Sequence, residues 1–335
     1  MDVVVTGASG HLGANLVRVL VARGDRVRVL RRRSTAGFDG VPVEVAQGDV
    51  RDLPSLRAAF AGAERVYHLA GRISLVGDPD GEVEAINVGG AANAARAALD
   101  VGVGRLVHVS SIHAFVQAPR DRPLDERRDP ANGAGHPAYD RSKAAGEREV
   151  RAMVDRGLDA VIVNPTAVIG PYDLSGSPMG EVFERLRTGR MPALVRGGFD
   201  WVDSRDVAAG IIAAGERGRS GEGYILSGRW ASVHDLARLA CEVAGVRPPR
   251  LTVPLWLARV GLPLVALAGR ARGRTPIYSR ESLLALESNR HVCRDKAQSE
   301  LGYAPRPLRD TVEAIFAELA ARARTPAQLT DGESA

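Results

Sequence analysis

The first thirteen residues restrict the fold more than any other stretch. A short apolar run, "DVVVTG", ends in glycine and gives way at once to "HLGANLVRVLVARG", in which Leu12, Leu16, Val19 and Leu20 recur with helical spacing. The pattern predicts a strand, a tight turn and a helix, with Gly7, Gly10 and Gly13 in the turn. With 37 glycines in 335 residues such a spacing arises about 0.4 times by chance, so its position must decide its meaning. Between a first strand and a first helix, glycine lets backbone approach a pyrophosphate while the helix N-terminus faces its charge. His11 and Leu12 belong to the same candidate contact.

The alternation continues. "RVRVLRR", "VPVEVAQGD", "ERVYHLAG", "GRLVHVSS" and "LDAVIVNP" read as strands, separated by helices over "LPSLRAAFAG", "GEVEAINVGGAANAARAALDVG" and "AYDRSKAAGEREVRAMVDRG". Strands alternating with helices predict an α/β fold with a doubly wound parallel sheet. After about residue 170 the rhythm breaks. "DWVDSRDVAAGIIAAGERG" returns a strand and a helix, "GEGYILSG" reads as a late strand able to rejoin the sheet, and from Trp230 onward the pattern is mainly helical. The expected organisation is a dinucleotide-binding domain over 1–170 with 200–228 returning to it, a smaller and mostly helical substrate domain over 171–199 and 229–322, and a disordered polar tail over 323–335.

Composition narrows the partners. A net charge of +5 is spread among acids and aromatics are only 4% of the chain, poor material for stacking bases, so no nucleic-acid partner is expected. Cys241 and Cys293 have no metal-ligand spacing, no metal site is expected, and with no visible signal peptide they suit reduced thiols in a cytoplasmic protein. "LWLARVGLPLVALAG", 255–269, is apolar but too short to span a bilayer; it is expected to be a buried or pocket-covering helix rather than a membrane contact.

Two features carry chemistry. The second strand ends in "VLRRRS", where Arg31 and Arg32 stand in place of the acid that would accept from a ribose 2'-hydroxyl; arginine forks suit a 2'-phosphate, so NADP is preferred over NAD. Lysine occurs only at Lys143 and Lys296 among 45 basic residues, and Lys143 follows Tyr139 by four positions. That coincidence has a chance expectation of about 0.04, which makes it far more telling than the glycines. On a helix the two share a face, and an ammonium beside a phenol favours the phenolate and tunes it for proton transfer. A developing oxyanion needs donors, and Ser111 with Tyr139 would supply two.

The Tyr-x-x-x-Lys pair after a Thr-Gly-x-x-Gly-x-x-Gly turn resembles the extended short-chain dehydrogenase/reductase family (the NAD-dependent epimerase/dehydratase superfamily). Through "HLAG", "VHVSSIHA", "AYDRSK", "NPTAVIGP", "DWVDSRDVA" and "YILSG" it is most similar to the dihydroflavonol reductase-like and 3β-hydroxysteroid dehydrogenase-like branch. The resemblance implies a Rossmann-type sheet and a homodimer. It also implies that Ser111 bonds the substrate carbonyl, Tyr139 passes the proton and Lys143 holds the nicotinamide ribose. Asn87 would support a proton-relay water, Asp49 and Val50 would contact adenine, Leu69, Ala70 and Gly71 would line the cofactor, and Pro165 and Val168 would abut the nicotinamide.

Three activities compete. Reduction of a carbonyl on a hydrophobic small molecule needs only these features. A nucleotide-sugar epimerase or dehydratase keeps a tightly bound NAD, but the dehydratase Asp-Glu pair is missing from "SSIHA", and "VIVNPTAVIGP" lacks the arginine and tyrosine usual in the sugar enzymes. A 3β-hydroxysteroid dehydrogenase/isomerase-like enzyme, or a dinucleotide sensor without catalysis, completes the set. Ile73, Phe115, Tyr172, Met179 and Phe183 are expected to line an apolar substrate pocket, and His113 and His136 read as solvated loop histidines.

Overall fold

The computed structural model describes residues 1–32, 38, 40–173, 177–262 and 279–324. Its centre is a seven-stranded, wholly parallel sheet in the order β10-β6-β5-β4-β1-β2-β3. The strands are β1 (Asp2–Thr6), β2 (Arg26–Arg31), β3 (Glu44–Gln47), β4 (Arg65–His68), β5 (Arg105–Val109), β6 (Ala160–Pro165) and β10 (Gly223–Leu226). Both faces are covered, and for that reason the strands read as continuous apolar runs: Val3 and Val5 enter one core layer and Val4 the other. Helices α1 (His11–Ala22) and α7 (Ser204–Arg217) pack on one face; α2 (Leu53–Phe60), α4 (Gly90–Asp100) and α5 (Ala138–Val154) pack on the other. The chain has a Rossmann-type α/β fold with a smaller C-terminal region.

The long helix read over 81–102 is in fact three pieces. A short α3 (Glu82–Glu84) passes through one π turn (Ala85–Gly89) into α4. The wide turn carries Asn87, and π turns of this kind mark places where a helix is distorted to aim a group. Helix α5 approaches it closely: a Cβ on Gly146 would lie 2.5 Å from the Asn87 carbonyl oxygen.

Beyond the sheet, β7 (Ala167–Ile169), β9 (Gly198–Asp203) and β11 (Arg229–Ser232) form a three-stranded sheet, and β8 (Leu194–Val195) pairs with β12 (Thr252–Val253). The region after Trp230 is thus less purely helical than its sequence suggests. Helices α6 (Pro178–Arg187), α8 (Val233–Ala244) and α12 (Leu308–Arg324) share a third core with Trp201. Residues 255–262 form α9, followed by α10 (Arg280–Ala285) and α11 (Asp295–Leu301).

Helix α9 corrects one expectation. Leu255, Ala258 and Leu262 pack against Val195, Leu283 and Leu286, whereas Trp256, Leu257 and Val260 face outward, 66, 45 and 70% exposed. It is a surface helix with an apolar outer face, because the core beneath it is wide enough for only one side; 263–269 of the same run lie outside the described residues. Among the described residues no helix is long and apolar enough to cross a membrane. The expected tail lies outside them from residue 325, and α12 itself runs to Arg324.

Gly146→Ala should cost on the order of 1–3 kcal/mol in urea unfolding, because its methyl group can only be seated by pushing α5 off the π turn. An unchanged unfolding midpoint would show that the two helices are free to separate.

Candidate active site

The glycine turn is built by close backbone contact. Gly7 has φ of 69°, and a Cβ there would lie 2.6 Å from the Ala70 nitrogen at the end of β4; a Cβ on Gly13 would lie 2.2 Å from the Gly7 carbonyl oxygen. Gly10 is less confined, its nearest neighbour being 3.3 Å from a built Cβ. Gly10 also caps α1 without a side-chain hydrogen bond, and the first helical turn contains no acid. The N-terminal N–H groups at His11, Leu12 and Gly13 therefore carry the positive end of the helix without a built-in anion. His11 Nε2 lies 3.1 Å from the carbonyl oxygens of both Gly170 and Pro171, and Asn15 Nδ2 donates to Pro171 O at 2.8 Å, so the turn is fastened to the loop after β7.

At the end of β2, Arg31 is 6% exposed, its guanidinium stacked 5.7 Å from the Phe38 ring, and its Nε and Nη2 have no hydrogen-bond partner among the described residues. A buried guanidinium with unused donors is costly unless an anion completes it. Arg32 is half-exposed, 3.9 Å from Asp49 Oδ2. Asp49 is held by both arms of the Arg51 fork at 3.0 and 2.7 Å, which keeps its carboxyl down at about 2 and turns the side chain toward Arg51. Val50 packs under α4, where it leaves no room for a Cβ on Gly90.

The sheet's carboxyl edge holds the reactive group. Ser111 follows β5 and caps a 3-10 turn, its Oγ accepting from His113 N at 3.2 Å. Tyr139 and Lys143 lie on the first turns of α5. Burial pushes the Tyr139 phenol up to about 12; the Ser111 hydroxyl beside it pulls it down in part, and Asp140 raises it further. The phenolate expected from a neighbouring ammonium is not what this environment favours. Lys143 is itself buried, donates from Nζ to the Val109 carbonyl oxygen at 3.0 Å, and is lowered to about 8 by burial, with Glu147 opposing. Desolvation outweighs the Ser111 hydrogen bond at Tyr139 and the Glu147 attraction at Lys143, leaving a phenol that carries its proton at neutral pH.

Asn87 is buried in the π turn. Its Oδ1 accepts from Arg72 N at 2.8 Å, and its Nδ2 donates to Arg72 O at 3.0 Å and Ser142 Oγ at 2.9 Å. With both amide hydrogens used, the side chain fastens the loop after β4 to α5, and only a remaining Oδ1 lone pair is left for a water. Gly71 lies between these groups: a Cβ there would be 3.3 Å from Asn87 Oδ1 and 3.4 Å from Lys143 Nζ. Leu69 and Ala70 back the glycine turn, and Pro165 and Val168 stand at the end of β6 and in β7.

The five expected pocket residues do not share one cavity. Val168, Met179 and Phe183 line an open cavity of about 280 Å³ with His11, with Ile315 and Leu319 of α12, and with the charged Glu181, Glu184, Glu318 and Arg322. Tyr139 and Ser111 are not in its wall. Ile73 is 73% exposed, Phe115 belongs to a small core with Leu124 and Ile225, and Tyr172, at φ of 62°, stacks under Arg18 at 4.4 Å. Their apolar character served core packing or was left in solvent, which composition cannot distinguish.

Other residues at the site escaped notice or were read differently in the sequence. His113, expected to be a solvated loop histidine, is instead partly buried against the site: its Nδ1 lies 3.3 Å from Asp140 Oδ1 and its ring meets the Tyr139 ring edge-on at 6.0 Å. Asn164 Nδ2 donates to Ser111 O at 3.1 Å and to Glu147 Oε1 at 2.5 Å, which anchors the serine's backbone. Beneath, His68 and His108 stack 5.4 Å apart, both fully buried and held neutral by desolvation, with Thr6 Oγ1 2.8 Å from His68 Nδ1.

The pattern that defines the NAD dependent epimerase/dehydratase family matches residues 3–226, well over half the chain. The chain belongs to this family. It is thus an NAD(P)-dependent enzyme of the extended short-chain dehydrogenase/reductase type. Within the family it is 37% identical over 326 residues to sterol demethylase protein B of Methylococcus capsulatus, covering 96% of this chain and 98% of that protein. It is 30% identical over 328 residues to 4-hydroxy-2-methyl-3-oxo-4-farnesyl-3,4-dihydroquinoline-1-oxide ketoreductase of Stigmatella aurantiaca, covering 91 and 92%. The crystal structure of gox2253 superposes with a TM-score of 0.83 at 36% identity, over 96% of this chain and 99% of that one.

The Lys143 environment gives a pH test. Its folded value near 8 lies below the ordinary 10.5, so between those values the unfolded chain binds more protons and this group makes stability rise with pH; below about 8 its burial cost is constant. Lys143→Met should therefore raise the melting temperature of the cofactor-free protein at pH 7, with the gain shrinking from pH 8 to 10. A gain independent of pH would mean that the buried lysine keeps its proton across the whole range, as the unfolded chain does, and is not lowered by burial.

Proposed function

We propose that this enzyme reduces a ketone or aldehyde of a hydrophobic small molecule, with NADP as its preferred cofactor. The observation that carries the reading is the protonated Tyr139 phenol next to the Ser111 hydroxyl, two neutral donors where a carbonyl oxygen would gain charge. The glycine turn with its uncapped helix start and no space for side chains fits a pyrophosphate, and the unused donors of buried Arg31 fit a 2'-phosphate. A nicotinamide bound there would supply the hydride to the carbonyl carbon. Tyr139 Oη gives its proton to the carbonyl oxygen while Ser111 Oγ donates a hydrogen bond to it. Lys143, positioned by the Val109 carbonyl, holds the ribose end. A relative named as a ketoreductase of a farnesylated ring supports an apolar substrate.

Tyr139→Phe should lower kcat for NADPH-dependent reduction of apolar ketones about 10²- to 10⁴-fold with cofactor affinity little changed. Arg31→Ala should raise the KM for NADPH about 10- to 100-fold and leave that for NADH nearly untouched. Equal losses with both cofactors would remove the case for NADP. Protein purified without added nucleotide should be empty; stoichiometric NAD retained through purification would overturn the reductase reading in favour of an epimerase with an internal redox cycle.

A further inference from the structure

We infer that α9 is a docking surface for an anionic phospholipid bilayer, on which the protein rests with this helix parallel to the membrane plane. The first observation is the outward face already described. Trp256, Leu257 and Val260 are exposed on a helix whose opposite side, Leu255, Ala258 and Leu262, is packed along its length, so the helix is held flat against the molecule with its apolar face outward. Leu251, just before β12, is 65% exposed and Leu284 in α10 is 41% exposed, so five of the ten large hydrophobic side chains exposed among the described residues lie within 251–284. Scattered single exposures need no explanation, but a concentration in one segment does.

The second observation is charge. From Val243 to Arg280 the sequence contains no Asp or Glu and seven arginines, at 247, 250, 259, 270, 272, 274 and 280, in a chain that otherwise mixes 40 acids with its 45 basic residues. Arg247, Arg250 and Arg280 are exposed. Arg259 is half-exposed and donates to Glu287 Oε2 at 2.7 Å, and Glu287 also pairs with Arg120 at 3.5 Å, so the one acid paired at this face is outnumbered by its own partners. An apolar face accompanied by exposed arginines that outnumber its one paired acid is what an interfacial helix needs: side chains that enter the acyl boundary and cations that meet lipid phosphates. A second copy of the chain fits less well, since a two-fold contact would bring arginine against arginine around the apolar centre. A nucleic acid fits less well too, because Trp256 is the only aromatic among the described residues of this face and the Leu257 and Val260 beside it offer no stacking surface to successive bases.

The test is flotation of the full-length protein with phosphatidylcholine vesicles with and without phosphatidylserine. The protein should float with the anionic vesicles and not with the neutral ones, and high salt should release it. Trp256→Ser combined with Val260→Ser should weaken vesicle binding by more than about tenfold at an unchanged melting temperature. Arg247→Glu combined with Arg250→Glu, which leaves the helix and its packing untouched, should weaken it at least as much. Equal flotation with neutral vesicles, or binding indifferent to both double variants, would overturn the inference. So would a failure to float with anionic vesicles; a dimer in sedimentation equilibrium that the Trp256 and Val260 changes dissociate would then assign the face to self-association.

Discussion

The backbone of Gly7 approaches Leu69 and Ala70 more closely than any side chain would allow, and the rest of the site is set by that approach. Because nothing larger than hydrogen fits between them, the ends of β1 and β4 and the start of α1 meet at one point. Gly13 repeats the constraint one helical turn on, pressing α1 against the Gly7 carbonyl. Gly71, two residues beyond the Gly7 contact with Leu69, is thereby delivered to Asn87 and Lys143. Cofactor cradle and catalytic helix are in this way parts of one packing arrangement, joined through the loop after β4.

Within that arrangement electrostatics obeys burial before proximity. Tyr139 and Lys143 are near in sequence and share a helix, yet each is shifted mainly by the loss of water, the phenol upward and the ammonium downward. Ser111 is the group that works against this trend at the tyrosine. The neutral stacked histidines below add no charge to the floor of the site. A protonated phenol suits donation to a carbonyl, so the physical cause that overrides the simple ammonium argument also sets the direction in which the group is ready to act.

Much of this was legible in the sequence where the information is local. The β1-α1 glycine turn, the parallel sheet and the helix bearing Tyr139 and Lys143 follow from periodicity and spacing, because each is made by neighbours along the chain. What escaped depends on distant partners. Strands β7, β8, β11 and β12 are two to four residues long and exist only through pairing, so no run of residues announces them. His113 and Asp140 are brought together by tertiary packing and have no spacing to betray them. Ile73, Phe115 and Trp256 are equally apolar in the sequence, but one lies in solvent, one in a core and one on an outward helix face, a difference decided by how much core each neighbouring element had left to cover.

The place of β10 at the sheet's edge has a consequence for how the chain comes to be folded. All six residues of β6 are buried, and one side of that strand is covered only when Gly223–Leu226 arrives, after the chain has made β7, β9 and α7. A nascent chain that has not yet emerged that far, or one cut in the intervening segment, presents an apolar strand with a free row of backbone groups, open to pairing with any other chain. Solubility during synthesis therefore hangs on a four-residue strand made late.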